Sequence, residues 1–371
     1  MPLLEEGMTI RGTYEVERFL GEGAFAEVYR VKHRFLGRQA MKVFKREGLT
    51  GEEVEKMLSE AILLSRIGHP NIIRVFDANV IETEAGLRGY FTMENVAGGT
   101  LDAFWRSFGS RLLPVETAVD LARQICRGLS VAHSEQPPVI HRDIKPQNIL
   151  VGYEANGLRA RISDFGLARQ VNPLTLLASA AGTLPFKPPE VFGDSKSDSP
   201  AGDVYAVGVT LYLMLSDCFP YDIGPDFSMV APSDFAKPPR PLGELNLDVD
   251  DALSSIVLRC LRRNPRERYP DATALLSALE AWTPPPSVPD SAPPSPDSSE
   301  SLARADQRAA KSAPVDETEA TEMARRALKT AREDGRLADA ADLMEEAFNL
   351  QPGLREKYAS RVKLWRSGVS M

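Results

Sequence analysis

Cysteine and histidine are scarce in this sequence and are spread widely along it. Its 371 residues contain three cysteines and four histidines, namely Cys126, Cys218, Cys260, His33, His69, His133 and His141. An odd number of distant cysteines without a Cys-x-x-Cys pair predicts neither a disulfide framework nor a zinc site. The histidines also lack the spacing of a metal site. We therefore expect a reducing compartment and structural roles for the histidines.

Long apolar runs and an excess of positive charge are missing as well. The most apolar stretch, Val204 to Leu215, has 12 residues, whereas a helix needs about 20 to cross a bilayer. The N-terminus carries Glu5 and Glu6 where a signal peptide would be basic. The formal net charge of −8 disfavours a surface for nucleic acid. These features predict a cytoplasmic protein with no membrane span and no nucleic-acid partner.

Beyond these absences, the composition is that of a globular protein with one clear break. Hydrophobic residues make up 43% and charged residues 26% of the chain, which is typical of folded domains. Of the 17 residues from Pro284 to Glu300, seven are proline and five are serine. Such a segment buries too little apolar surface to offset its ordering entropy. The sequence therefore predicts a large folded unit, a disordered linker and a small C-terminal unit.

Strand patterns dominate the N-terminal part of the chain, and helical patterns follow. The predicted strands are Tyr14–Leu20, Glu27–Lys32, Gln39–Phe44, Ile72–Phe76 and Gly89–Glu94. Between them lies a single helix, whose start is marked by Thr50 and Glu53 at the spacing of a capping box. From about Val115 onward, apolar residues recur at helical spacing. This order predicts a small strand-rich lobe followed by a larger helical lobe.

A glycine-containing turn and a lysine in an apolar strand are the first candidates for a functional site. Gly21 and Gly23 lie between two predicted strands, where backbone N–H groups can bind phosphate, although an ordinary hairpin explains this pattern equally well. Lys42 has apolar neighbours in a predicted strand, and burying its charge requires an anion. Glu60 on the capped helix is the expected carboxylate, unless Lys42 extends its amine to solvent at a sheet edge.

Two short motifs in the helical half carry the strongest chemical signal. His141-Arg142-Asp143-Ile144-Lys145-Pro146-Gln147-Asn148 is followed, 16 residues after its end, by Asp164-Phe165-Gly166. Phosphoryl transfer needs a carboxylate to accept the proton of the attacking hydroxyl, a cation on the transferred group and oxygen ligands for magnesium. The two motifs supply these groups as Asp143, Lys145, Asn148 and Asp164. A polar loop would have to produce both motifs in order by chance.

On these motifs, residues 13 to about 283 resemble a serine/threonine protein kinase domain of the eukaryotic type that bacteria also carry. The resemblance implies an α+β, bilobal fold with a β-rich N-lobe over residues 13–94 and a helical C-lobe over 97–283. The remaining predicted units are an N-terminal extension (1–12), the Pro/Ser-rich linker (284–315) and a helical module (316–371). The implied cofactors are ATP and Mg2+, with Mn2+ as a possible substitute.

The same resemblance assigns roles to individual residues. Asp143 is the expected catalytic base and Lys145 the contact to the γ-phosphate, while Asn148 and Asp164 are the expected metal ligands. The implied ATP-binding residues are Gly21, Gly23, Val28, Ala40, Lys42, Glu60, Met93, Glu94, Val96 and Leu150. A hydrophobic column of an active kinase would consist of His141, Phe165, Leu64 and Val75. Plain core packing explains its apolar members equally well or better.

The segment that follows Asp164 resembles an activation segment that ends at Glu190. An arginine at the position of Arg142 is typical of kinases that are controlled by phosphorylation of this segment. Thr175 and Ser179 are the candidate acceptors. A segment that is ordered without modification is the alternative.

Two further residue roles follow from the resemblance and concern structure. Glu190 is expected to pair with Arg268. Asp203, at the start of the apolar helix, is expected to brace the backbone of the catalytic loop.

Three amphipathic stripes follow the linker. They run over Ala320–Ala331, Leu337–Phe348 and Leu354–Trp365. The spacing of Ala340, Ala347 and Pro352 is similar to the second half of a tetratricopeptide repeat, but a single repeat cannot bury its own face. A three-helix bundle or a docking hairpin is an equal alternative. In each case we expect a module that binds a protein partner.

The sequence thus predicts a kinase that phosphorylates Ser and Thr hydroxyls of protein substrates and its own activation segment. Lys145, two residues after Asp143, resembles the Ser/Thr class and disfavours tyrosine and small-molecule kinases. The alternative is a pseudokinase scaffold that binds partners through both units and transfers nothing. A scaffold has no need for the complete set of phosphate and metal ligands.

Overall fold

The computed structural model describes most of the two predicted lobes and parts of the C-terminal unit. The described residues are 2–23, 25–55, 57–58, 67–84, 86–108, 112–155, 157–165, 184–192, 198–221, 235, 237–246, 248–284, 320, 323–324, 326–327, 330–331, 336–351, 354–355, 358, 362 and 365–366.

An antiparallel sheet of six strands forms the first lobe. The strands are β1 (Thr9–Ile10), β2 (Tyr14–Glu22), β3 (Ala26–His33), β4 (Gly37–Phe44), β5 (Val75–Thr83) and β6 (Gly86–Glu94). They pair in the order β1-β2-β3-β4-β6-β5. Short turns join β1 to β2, β2 to β3, β3 to β4 and β5 to β6, so these pairs are hairpins, whereas β4 pairs with β6 across a longer connection. The predicted strand-rich lobe is therefore confirmed.

Both faces of this sheet are covered. On the inner face, Ala40 and Phe44 belong to the main hydrophobic cluster that continues into the second lobe. On the outer face, Met41 and Val43 pack in a separate cluster with Leu4. The N–H of Leu4 donates to the hydroxyl of Tyr29 at 3.0 Å, which fixes the first residues onto the strands. The residues expected as an N-terminal extension thus pack as part of the first lobe.

The predicted strand Ile72–Phe76 was wrong in its first part. In the structure the strand begins at Val75, and Ile72 instead forms an isolated parallel bridge to Ile162 in the second lobe. The N–H of Ile73 donates to the carbonyl oxygen of Ile162 at 2.9 Å, and the N–H of Ile162 donates to Asn71 at the same distance. An apolar run predicts an extended backbone, but its pairing partner lies about ninety residues away and is set by tertiary contacts.

The helix between β4 and β5, α1, begins at the predicted capping box. Residues 51–55 and 57–58 of this helix are described. The N–H of Thr50 donates to the Glu53 carboxylate at 3.0 Å, and the N–H of Glu53 donates to the Thr50 hydroxyl at 3.3 Å. The two residues thereby satisfy each other's free backbone donors. The predicted start of this helix is confirmed.

Helices dominate the second lobe. They are α2 (Leu101–Arg106), α3 (Val115–Ser134), α4 (Pro200–Ser216), α5 (Asp251–Cys260) and α6 (Ala272–Ala281). A small sheet combines β7 (Gly98–Thr100), just before α2, with β8 (Ile149–Glu154) and β9 (Gly157–Ile162), which follow α3. The 3-10 turns cover Pro146–Asn148, Leu184–Phe186, Pro189–Phe192, Leu242–Glu244 and Pro265–Glu267. Helix α4 is buried on almost all sides. A helix that is apolar all round has no polar face to turn to solvent. The apolar stretch Val204–Leu215 is therefore a core helix.

The C-terminal unit has its own small hydrophobic cluster. Its complete described helix is α7 (Leu337–Leu350), which buries Ala340, Met344 and Phe348. The described residues of the other two stripes are also helical and contribute Ala324, Ala327, Ala331, Val362 and Trp365 to the cluster. The described residues thus agree with helical structure in all three predicted stripes. The predicted linker lies almost wholly outside the described part of the chain.

Candidate active site

The β2–β3 hairpin carries the two predicted phosphate-binding glycines. Gly21 pairs with Val28 in the sheet, and the N–H of Gly23 donates to the carbonyl oxygen of Ala26 at 2.8 Å. A side chain at Gly21 would meet no atom of the described residues within 4 Å. Protein packing therefore does not demand glycine there, and the bare backbone leaves room for a ligand to approach.

Val28, Ala40 and Met93, three of the predicted ATP-binding residues, share one sheet face with Lys42. Val28 lies opposite Lys42, and Ala40 lies opposite Met93, while Ala40 and Lys42 are two residues apart and point to the same side. From the second lobe, Leu150 on β8 packs against the same cluster. The structure thus brings these predicted residues to one apolar surface beside the lysine.

The connection between the lobes holds Glu94 and Val96. The carboxylate of Glu94 forms an ion pair with Arg161 on β9. Burial raises the pKa of Glu94, while the nearby Arg161 opposes this shift. A Cβ added to Gly152 would lie 3.1 Å from Cγ1 of Val96, so the connection packs tightly on β8. The Glu94–Arg161 pair was not expected from the sequence, because it joins residues of two different sheets.

Lys42 is buried and paired with a carboxylate. Its side chain is 7% exposed, and its Nζ lies 2.5 Å from Oδ1 of Asp164. The backbone of Asp164 has a φ of +59°, a region that costs energy for a residue with a side chain. The expected anion beside Lys42 is therefore present, but it is Asp164. The expected partner Glu60 lies outside the described residues.

The carboxylate of Asp143 lies between two ammonium groups. Nζ of Lys145 is 3.0 Å from Oδ2, and Nζ of Lys187 is 3.4 Å from Oδ1. The Asn148 amide donates to Oδ2 at 2.8 Å and to the Asp143 carbonyl oxygen at the same distance. Burial acts to raise the pKa of Asp143, but the charges of Lys145 and Lys187 outweigh it, and the pKa lies below its usual value. The carboxylate is therefore ionised at neutral pH.

The predicted metal ligands have the chemistry of a magnesium site. Both amide hydrogens of Asn148 point toward Asp143, so the amide oxygen is turned away from that residue. Asp164 adds a carboxylate from the next motif. Amide and carboxylate oxygens suit Mg2+, which usually takes a few protein ligands and completes its shell with water and substrate phosphates.

Asp203 braces the backbone of the loop that leads to Asp143, as expected. Its carboxylate accepts the N–H groups of His141 at 2.7 Å and Arg142 at 2.8 Å. His133 contacts the same carboxylate through Nε2 at 3.0 Å. Asp203 is 1% exposed, and these donors satisfy its buried charge. Helix α4 thus fixes the backbone just before Asp143.

Glu190 and Arg268 form the expected ion pair. The two guanidinium nitrogens donate to the two carboxylate oxygens at 2.7 and 2.6 Å.

Of the predicted hydrophobic column, His141 and Phe165 are in contact, with ring centroids 4.6 Å apart, and Val75 is buried. Leu64, Thr175 and Ser179 lie outside the described residues.

Lys187 is the contact that sequence reasoning missed. It lies three residues before Glu190, between Gly182-Thr183 and Pro188-Pro189-Glu190, which carry the resemblance to an activation segment, and it belongs to neither motif. Its proximity to Asp143 depends on the path of the chain after Leu184. No sequence signal would have singled it out among the 44 lysines and arginines.

No helix among the described residues is both long and apolar enough to cross a membrane.

Comparison with known proteins agrees with this geometry. A probable serine/threonine-protein kinase of Clostridium acetobutylicum is 33% identical over 279 residues, which are 74% of this chain and 40% of that protein. The Arabidopsis thaliana serine/threonine-protein kinase ATG1c is 31% identical over 69% of this chain and 34% of its own length. The chain thus spans less than half the length of these curated relatives.

A solved structure has the same architecture. The kinase domain of PknI from Mycobacterium tuberculosis superposes with a TM-score of 0.56 at 25% sequence identity, over 75% of this chain and 98% of that domain. The α+β, bilobal fold expected from the sequence is therefore confirmed. Residues 14–278 match the protein kinase domain family, and this chain belongs to that family.

Proposed function

We propose that this protein is a serine/threonine protein kinase that transfers the γ-phosphate of ATP to hydroxyl groups of protein substrates. The observation that carries the proposal is the ionised Asp143 carboxylate, which lies beside Lys145 and Asn148 on a braced loop. The serine/threonine kinases among its relatives support it. Lys145 two residues after Asp143 supports serine and threonine as acceptors, by resemblance to that class.

Asp143 acts as the base in this proposal. Its lowered pKa leaves it able to accept a hydrogen bond from the substrate hydroxyl. As the hydroxyl oxygen bonds to the γ-phosphorus, the bond from phosphorus to the bridging oxygen breaks, ADP leaves with that electron pair, and the proton passes to Asp143. Lys145 stabilises the negative charge of the transferred group.

Asn148 and Asp164 would hold Mg2+, or Mn2+ in its place. A bound ion supplies charge neutralisation at the phosphates of ATP. Asp164 contacts Lys42. The proposed metal ligand and the proposed phosphate-binding lysine therefore lie side by side. Lys42 is proposed to bind the α- and β-phosphates.

The remaining ATP contacts are proposed by position. Gly21 and Gly23 offer backbone N–H groups to the phosphates. The adenine ring would lie on the apolar surface and at the connection between the lobes, in contact with Val28, Ala40, Met93, Glu94, Val96 and Leu150. Glu60 is proposed to form an ion pair that holds Lys42, as the resemblance implies.

The test is phosphate transfer from labelled ATP to casein by the full chain. We expect Asp143→Asn to reduce kcat by about 10²- to 10⁴-fold. Asp164→Asn should abolish transfer and also weaken the magnesium dependence of nucleotide binding, because one of two metal ligands is lost. Asp251→Asn is the matched control, since Asp251 is exposed at the start of α5.

Two outcomes would contradict the proposal. Full turnover by Asp143→Asn would show that another group is the base. A wild-type protein that binds ATP but transfers no label would favour the pseudokinase scaffold.

Phosphorylation of the protein's own Thr175 or Ser179 is part of the proposal. Nε of Arg142 donates to the exposed carboxylate of Asp198 at 2.7 Å. A phosphate carries a charge of about −1.5 to −2 at neutral pH, so a phosphorylated segment would compete with Asp198 for this guanidinium. Mass spectrometry of the active protein should find one of the two residues modified. Active protein without either modification would indicate that the Asp198 carboxylate is a sufficient partner for Arg142.

The C-terminal helices are proposed to recruit a protein partner in a signalling pathway, with or without a tetratricopeptide-like arrangement. A reducing location such as the cytoplasm is proposed because Cys126, Cys218 and Cys260 are free thiols.

A further inference from the structure

We infer that Lys187 is a positioning residue for the catalytic base, and this inference rests on the proposed kinase function. Its ammonium group donates to the carbonyl oxygen of Arg142 at 2.6 Å and lies 3.4 Å from Oδ1 of Asp143. One side chain thus contacts both the backbone before the base and the carboxylate itself. The side chain is 15% exposed, so solvent screens these contacts only in part.

The two oxygens of the Asp143 carboxylate are held from different sides. Oδ2 contacts Lys145 and the Asn148 amide, at 3.0 and 2.8 Å, whereas Lys187 lies on the side of Oδ1. Rotation about the last torsion of an aspartate is soft, so contacts to one oxygen alone leave the carboxylate plane poorly defined. The longer contact of Lys187 is an ion pair that favours one plane, and hence one direction for accepting a proton.

The backbone of Arg142 is the second part of the argument. Its φ is +70°, and a non-glycine residue keeps such a conformation only when its surroundings hold it there. Asp203 accepts the N–H of Arg142 at 2.8 Å, and Lys187 donates to its carbonyl oxygen. The two peptide groups of this strained residue are thus fixed by side chains from two different segments.

Lys187 is itself on a fixed segment. It lies between the 3-10 turns Leu184–Phe186 and Pro189–Phe192, and its N–H donates to the carbonyl oxygen of Leu184 at 3.0 Å. Glu190, three residues on, is anchored by Arg268. Lys187 therefore couples the position of the catalytic base to the position of the segment ending at Glu190.

The experiment compares Lys187→Met with Lys187→Arg in the full chain, and uses Lys237→Met as the control because Lys237 is exposed. We expect Lys187→Met to lower kcat for casein by about 10- to 100-fold, the effect of a misplaced reacting group, with an unchanged KM for ATP. Arginine keeps a cationic donor, so Lys187→Arg should recover most of kcat. Lys187→Gln, which keeps a donor without the charge, replaces the methionine variant if that one does not fold.

Hydrogen exchange supplies a readout that does not depend on activity. The amides of residues 141–148 should exchange faster in Lys187→Met than in wild type. In Lys237→Met their exchange rates should equal those of wild type. Wild-type kcat in Lys187→Met, or unchanged exchange of the loop, would overturn the role of Lys187. A wild-type protein that transfers no phosphate would refute the proposed function, while the exchange measurement would still decide whether Lys187 holds the loop.

Discussion

Both ring nitrogens of His141 are hydrogen-bonded to backbone groups, and this pair of bonds requires the neutral imidazole. Its Nε2 lies 2.8 Å from the carbonyl oxygen of Ser163, and its Nδ1 accepts the N–H of Asp143 at 3.1 Å. A proton on Nδ1 would face that N–H group. Burial lowers the pKa of His141, although the nearby carboxylate of Asp203 opposes the shift. This histidine therefore orients Asp143 and remains uncharged.

We predict that this residue makes folding stability depend on pH. In the unfolded chain His141 has its ordinary pKa of 6.5, and it binds a proton below that pH while the folded protein does not. The contribution of His141 to the free energy of unfolding is therefore greatest above the pKa of the unfolded state, and it decreases as the pH falls through that value. Urea unfolding should show a lower midpoint at about pH 6 than at about pH 8.

His141→Gln is the comparison for this measurement. It should be less stable at both pH values, but with a smaller difference between them. Equal pH dependence in wild type and variant would mean that other groups cause the effect.

At the scale of elements, one buried arginine joins three segments of the second lobe. The guanidinium of Arg268 binds both oxygens of Glu190 and also donates to the carbonyl oxygens of Ala201, Arg262 and Arg263. Its side chain is 0% exposed, and that of Glu190 is 10% exposed. This residue links the segment after Leu184, helix α4 and the turn after α5, so the position of each depends on the others.

We predict that Arg268→Ala lowers the free energy of unfolding by about 3–5 kcal/mol, because it leaves the Glu190 carboxylate buried without its partner. Chemical denaturation followed by circular dichroism measures this change. Arg266→Ala, at an exposed position two residues earlier, should change stability by less than about 0.5 kcal/mol. Equal effects of the two variants would contradict the structural role of Arg268.

At the scale of the whole molecule, the contacts of Trp282 hold the end of the second lobe in place. Its indole N–H lies 3.1 Å from both carboxylate oxygens of Asp250, and Arg123 donates to its carbonyl oxygen at 2.9 Å. The C-terminal helices pack in a hydrophobic cluster that shares no residue with the main one. We therefore expect the kinase fold to end near residue 283.

We predict that a chain ending at Thr283 folds and phosphorylates casein with the kcat of the full chain. Its defect should appear only with the true partner, as a raised KM with kcat nearly unchanged, because a tethered module raises the local concentration of its partner into the millimolar range. Steady-state kinetics on both chains measure these constants. A several-fold change in kcat toward casein would favour direct regulation by the helices.

The sequence alone was sufficient for features whose residues lie close together along the chain. The capping box at Thr50 spans three residues, and the motif from His141 to Asn148 lies within one loop. Short separations leave the backbone few alternatives, so spacing predicts geometry. The bilobal fold followed from these motifs through the resemblance to a known family, and the paired roles of Glu190 and Arg268 followed in the same way.

Tertiary structure decided the contacts between distant residues that no motif records. Ile72 pairs with Ile162, and Lys187 contacts Asp143, because the folded chain places them together. Lys42 pairs with Asp164, 122 residues away. Apolar and charged patterns determine which side chains need a partner, since burial of an unpaired charge is costly. Which partner each one finds depends on the packing of the whole lobe, and that information is spread over the entire sequence.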